Sequence, residues 1–217
     1  MALVFGPQWW IKRVLAEHGA DRPDLPGTGG EFARHLLDEA KLRDVTVELT
    51  GDGDHYDPET RTVRLVPDHH DARSVAAVAV AAHEVSHAIQ HARGEPAFRR
   101  RVELVRQLVW VERLAMAILI LAPVLFILVK SPALVLLQIV AGLALLGIRV
   151  VVHLVTLPVE LDASFAKALP VLEGRGYLAG DDLHAARSVL RAAALTYVAA
   201  ALATLLNIAR WFRILRF

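Results

Sequence analysis

The 217 residues carry a net charge of +1 and contain no cysteine. The near-neutral balance gives no basis for nucleic-acid binding, and the missing thiols exclude disulfides and thiolate metal ligands. Hydrophobic residues make up 55% of the chain and the mean hydropathy is +0.41, values that predict a membrane-embedded protein.

In chain order, Met1 to Gly6 is apolar but too short for a secretory signal. Pro7 to Arg13, with Trp9 and Trp10, reads either as an interfacial anchor or as a short amphipathic helix packed on the domain. The stretch 21–30 is rich in Pro, Gly and Asp and is a linker. A helix is expected over 31–40, with Phe32, Leu36 and Leu37 on one face. Val45–Leu49 and Thr62–Val66 alternate on either side of the Gly51–Asp54 turn, which predicts a small β-hairpin. Its edge could pair with an extended substrate backbone, or the hairpin could simply cover the next helix.

That helix is the most informative element. No Gly or Pro interrupts residues 68–93, and an Ala-rich run from Ser74 leads into His83-Glu84-Val85-Ser86-His87. In a helix, residues four apart share a face, so His83 and His87 can bind one Zn²⁺ with Glu84 beside a metal-bound water. A third protein ligand is needed. The metzincin continuation is excluded because Gln90 and Arg93 stand where Gly and His would be. His91 lies about 12 Å from His83 along a helix axis, too far for a shared ion, and reads as a gate, supporting or surface residue.

Three apolar stretches follow, at about 114–129, 133–157 and 192–209, and each predicts a membrane span. Lys130-Ser131-Pro132 breaks the first from the second, making a hairpin that returns the chain to the side of the zinc helix. Arg93, Arg99, Arg100, Arg101, Arg106 and Arg113 precede the first span, against Lys130 in the loop. The positive-inside rule then places the site at the cytoplasmic face of the cell membrane. Arg210, Arg213 and Arg216 after the third stretch run against a simple crossing there.

Past the second stretch, Pro158 is suited to the first turn of a helix and would let Glu160 project toward His83 and His87 as a gluzincin-type third ligand, with Asp162 or Ser164 orienting a histidine. His153 and Tyr197 are candidate donors to a developing oxyanion, and each could equally be an ordinary packed residue.

The expected organisation is an N-terminal interfacial segment and linker over 1–30, a zincin-like catalytic portion over 31–106 and a transmembrane hairpin over 107–157. A third-ligand helix and connecting segment over 158–190 and a third membrane helix with a basic tail over 191–217 complete it. The fold class is mainly α: a membrane helical bundle with an HExxH helix and a small β-hairpin before it.

Four segments together carry a family resemblance: Asp54 to Pro58, Ser74 to Gln90, Thr156 to Ser164 and Val189 to Ala200. With them the chain resembles the YugP-like neutral zinc metallopeptidases of bacterial membranes. The resemblance implies one zinc ion at His83, His87 and Glu160, Glu84 as base, and a membrane-embedded helical fold. It departs in two places. The family usually begins with a transmembrane helix where this chain has the Trp9-Trp10 segment, and Ser86 stands where Gly is common. The Ser86 hydroxyl can bond back to the i−4 carbonyl without disturbing the ligands.

The expected activity is that of a membrane-bound zinc endopeptidase in which Glu84 activates a zinc-bound water. Its partners are the bilayer and a peptide or membrane-protein substrate, and no feature fixes an oligomeric state. A catalytically silent zinc-stabilised scaffold and an intramembrane protease are the alternatives.

Overall fold

The computed structural model describes residues 2–129 and 131–214. Met1, Lys130 and Arg216 lie outside it, as do the side chains of 114–129, Tyr197, Arg149 and 202–214.

The helices are α1 (Ala2–Glu17), α2 (Gly29–Glu39), α3 (Pro67–His70), α4 (Val75–Ala92), α5 (Pro96–Val129), α6 (Pro132–Leu161), α7 (Leu169–Gly174) and α8 (Gly180–Ile214). A π-helical segment, Asp162–Ala168, joins α6 to α7, and three strands, β1 (Thr46–Leu49), β2 (His55–Asp57) and β3 (Thr62–Leu65), lie between α2 and α3.

Helix α4 is the centre of the fold. The Ser74 hydroxyl accepts from the Ala77 amide at 3.0 Å, supplying the N-cap that releases an uninterrupted Ala-rich run into helix. The helix stops at Gly94, whose φ of 63° a glycine adopts without strain. Fifteen of the eighteen α4 residues are buried, because α2, α8, the π-helical segment and the sheet pack around it. Helix α2 opens with a capping box between Thr28 and Glu31. Gly29 lets α2 approach closely: a Cβ there would lie 2.1 Å from the His69 carbonyl oxygen. Leu37, Val63, Leu65, Val85, Leu172 and Leu190 are among the buried side chains that fill the core around α4.

The β region differs from the expected hairpin. The sheet order is β1-β3-β2, with β1 parallel and β2 antiparallel to β3. The reversal occurs after β2, where the Asp57 carboxylate accepts from the Glu59 amide at 2.9 Å and the Thr60 hydroxyl at 2.8 Å, an Asx-type turn. A three-residue strand is too short to announce itself by alternation. Pro158 also departs from expectation: it lies inside α6 rather than opening a new helix, and the chain passes from α6 directly into the π-helical segment.

The expected membrane helical bundle is corrected. Among the described residues no helix is long and apolar enough to cross a membrane. The apolar runs are parts of longer helices with other duties. Helix α5 begins with Arg99, Arg100, Arg101, Glu103 and Arg106, the last turn of α6 carries the buried Glu160, and α8 begins with Asp181 and Asp182. The expected multi-pass topology and cytoplasmic orientation lose their basis with it.

Candidate active site

Residues 83 and 87 are one turn apart on α4, and their rings meet edge to face with centroids 4.7 Å apart. Glu160 reaches them from the end of α6: its Oε2 lies 3.2 Å from Nε2 of His83 and 3.2 Å from Nε2 of His87. All three residues are buried, Glu160 to 1% exposure, and they form a group able to hold one metal ion. The separations suit it: donors about 2 Å from a tetrahedral zinc lie roughly 3.3 Å from one another.

The surroundings aim these donors. Ser164, in the π-helical segment, donates its hydroxyl proton to the Leu190 carbonyl at 3.0 Å, so its oxygen accepts from Nδ1–H of His83, also at 3.0 Å. Gln90 donates its amide protons to the Val159 carbonyl at 3.0 Å and Asp162 at 2.7 Å, leaving its oxygen to accept from Nδ1–H of His87 at 2.8 Å. Both networks assign the proton to Nδ1 and turn the Nε2 lone pair toward Glu160, the support a metal-bound imidazole needs.

Electrostatics point the same way. Burial disfavours the ionised form of Glu160, yet the neighbouring His87, His83 and Arg101 outweigh it and hold this carboxyl well below the usual range. Burial likewise opposes a charge on His83, but Glu160 and Glu84 raise its pKa. The cluster therefore favours positive charge between the carboxylate and the imidazoles.

A cleft of about 380 Å³ opens over the cluster, lined among others by His55, Tyr56, Glu84, Arg101 and His153. Glu84, 7% exposed, thus shares the cleft with the three donors, and His153 stands on its wall. The Tyr197 side chain lies outside the described residues, although Ala193 and Thr196 on the same helix line the cleft. His91 is apart from the donors, with Nδ1 2.9 Å from the Tyr56 hydroxyl and its ring stacked on Phe98. Ser86 donates to the Ala82 carbonyl at 2.7 Å, the i−4 bond expected of it.

Two residues of the site escaped the sequence reading. Gln90 stood as a mismatch to the metzincin pattern and as the end of a family-matching segment, with no role at the site, although its place three residues beyond His87 puts it on the ligand face. Arg101 counted only as one cation in a run, yet its side chain, 17% exposed, makes a 2.9 Å ion pair with Oε1 of Glu160.

A family profile described as "Putative neutral zinc metallopeptidase" matches residues 1–216. The chain belongs to this neutral zinc metallopeptidase family. Within the curated proteins it is 36% identical over 222 residues to "Putative membrane protease YugP" of Bacillus subtilis (strain 168), an alignment covering 99% of this chain and 92% of that protein. No solved structure matches. Zinc is accordingly the cofactor of this metallopeptidase-family chain, and the buried His83, His87 and Glu160 cluster could hold one ion of it.

Proposed function

We propose that this chain is a zinc endopeptidase with His83, His87 and Glu160 as metal ligands and Glu84 as general base. The observation that supports it most is the convergence of two Nε2 atoms on one carboxylate oxygen, each at 3.2 Å, in a cleft that Glu84 also lines. Held there, zinc supplies Lewis acidity at the scissile carbonyl and lowers the pKa of water. Glu84 takes the proton of the attacking water and delivers it to the leaving amine nitrogen. His153 and Tyr197 are the candidates to donate to the oxygen that gains charge.

Strand β2 is at the edge of its sheet, and residues 55 and 56 line the cleft. An extended peptide laid along β2 would pass over the metal donors, which supports a polypeptide substrate. The name of the Bacillus relative, together with the exposed Trp110, Leu137, Val140, Val151 and Leu154 of α5 and α6, supports meeting that substrate at a membrane surface.

The test is metal analysis of the purified chain followed by incubation with a peptide library. About one zinc per chain and chelator-sensitive cleavage are expected. Full zinc occupancy with no cleavage would contradict the reading and favour a zinc-stabilised scaffold.

A further inference from the structure

The two oxygens of Glu160 face different partners. Oε2 is directed at the imidazoles of His83 and His87, 3.2 Å from each, whereas Oε1 lies 2.9 Å from Nη1 of Arg101. Oε1 is buried and has no aligned hydrogen bond, so its partner there is the guanidinium charge. Arg101 comes from α5, an element that contributes none of the three donors. Its guanidinium lies over the Phe98 ring, 5.8 Å from the centroid, and against the His87 ring, 3.3 Å from Nδ1 and 3.4 Å from Nε2. Phe98 itself is buried and tilted on His87 at 6.0 Å. The cation is therefore packed against the rings of Phe98 and His87 beside Oε1.

We infer that Arg101 is a positioning residue that holds Oε1 of Glu160 away from the ion, making the carboxylate a one-oxygen ligand and leaving the fourth coordination position open. A carboxylate can bind through one oxygen or two, and a hydrolytic zinc site needs three protein donor atoms with one place left over. Nothing in the two histidines decides between these modes. The guanidinium does, because a carboxylate that turned both oxygens to the metal would give up an ion pair in a buried setting, where opposite charges attract most strongly. Arginine suits the position better than lysine in one respect: its flat, fixed head stacks on Phe98 while keeping a donor on the carboxylate.

The inference rests on the proposed ligand set, and one experiment separates the two. Wild type, Arg101→Met, Arg101→Gln and Arg101→Lys are purified, stripped and loaded with Co²⁺, and the visible d–d absorption is recorded. Its intensity reports coordination number: strong for four ligands, weak for five or six. Wild type gives the strong four-coordinate band. Arg101→Met and Arg101→Gln give a weakened band and lose about 10- to 100-fold in kcat with little change in KM, while Arg101→Lys, which keeps a cation beside Oε1, retains most of the band.

A wild type that binds no metal overturns the ligand assignment. A strong, unchanged band in Arg101→Met or Arg101→Gln, with wild type loaded normally, overturns the role of Arg101 and leaves the ligand assignment standing. If Arg101→Met does not fold, Arg101→Gln compared with Arg101→Lys gives the same decision, since the two differ in charge.

Discussion

Gln90 and His87 are joined by a hydrogen bond whose direction is fixed from outside the pair. The Gln90 amide nitrogen is occupied by Val159 and Asp162, so its oxygen accepts, and the proton on the 2.8 Å contact belongs to Nδ1 of His87. Replacing Gln90 with Leu removes that acceptor and frees the imidazole to rotate or change tautomer. Zinc affinity is expected to fall by about 10- to 100-fold, read by competition with a chromophoric chelator. An unchanged affinity would show that Gln90 is packing alone.

The Ser164 hydroxyl bridges His83 and the Leu190 carbonyl, both contacts at 3.0 Å in a buried setting. Ser164→Ala leaves a buried N–H and a buried carbonyl without their partner, a loss of about 1–3 kcal/mol. The denaturant midpoint of the metal-free protein is expected to drop accordingly. An unchanged midpoint would contradict the assigned network.

Asp57 sets the turn between β2 and β3. Burial pushes its carboxyl up, but the Thr60 hydroxyl, the Glu59 amide and the Arg64 guanidinium overcome this and bring it down to about 2. An unfolded Asp titrates near 3.9. The folded value is the lower one, so the stabilisation is complete above about pH 3.9 and is lost as pH falls through about 2. Thermal melts of wild type are expected to fall more steeply from pH 4 to pH 2 than those of Asp57→Asn, which starts lower at pH 7. Parallel curves would show that the charge contributes nothing.

The helical part of this fold was legible because its signals are local. Ser74 followed by an uninterrupted Ala-rich run gives α4, and the four-residue spacing puts His83 and His87 on one face. The spacing of Phe32, Leu36 and Leu37 similarly announces α2, although its capping box at Thr28 and Glu31 places its start inside the stretch expected to be a linker. The meeting of Glu160 with the histidines, more than seventy residues away, was anticipated from its Pro-Val-Glu context, from the family resemblance and from a membrane hairpin that the structure does not bear out.

What could not be read depends on packing. Pro158 fits the first turn of a helix, yet α6 continues through it, because nearby elements decide whether the chain must break. The strand at His55 to Asp57 has too few residues to show a period. Arg101 looked like one member of a basic run, and only the passage of α5 beside α4 turns it toward Glu160. The expected membrane bundle is overturned for a different reason: the apolar windows belong to longer helices that also carry arginines and the buried Glu160.

In the proposed reaction Glu84 transfers a proton within a metal site built by His83, His87 and Glu160. It is tested most directly by the rate of peptide hydrolysis per bound zinc in wild type and in Glu84→Gln, which keeps the shape of the side chain but cannot accept the proton. Equal zinc content and a rate lower by about 10²- to 10⁴-fold in the variant are expected. Equal rates at equal zinc content would contradict it.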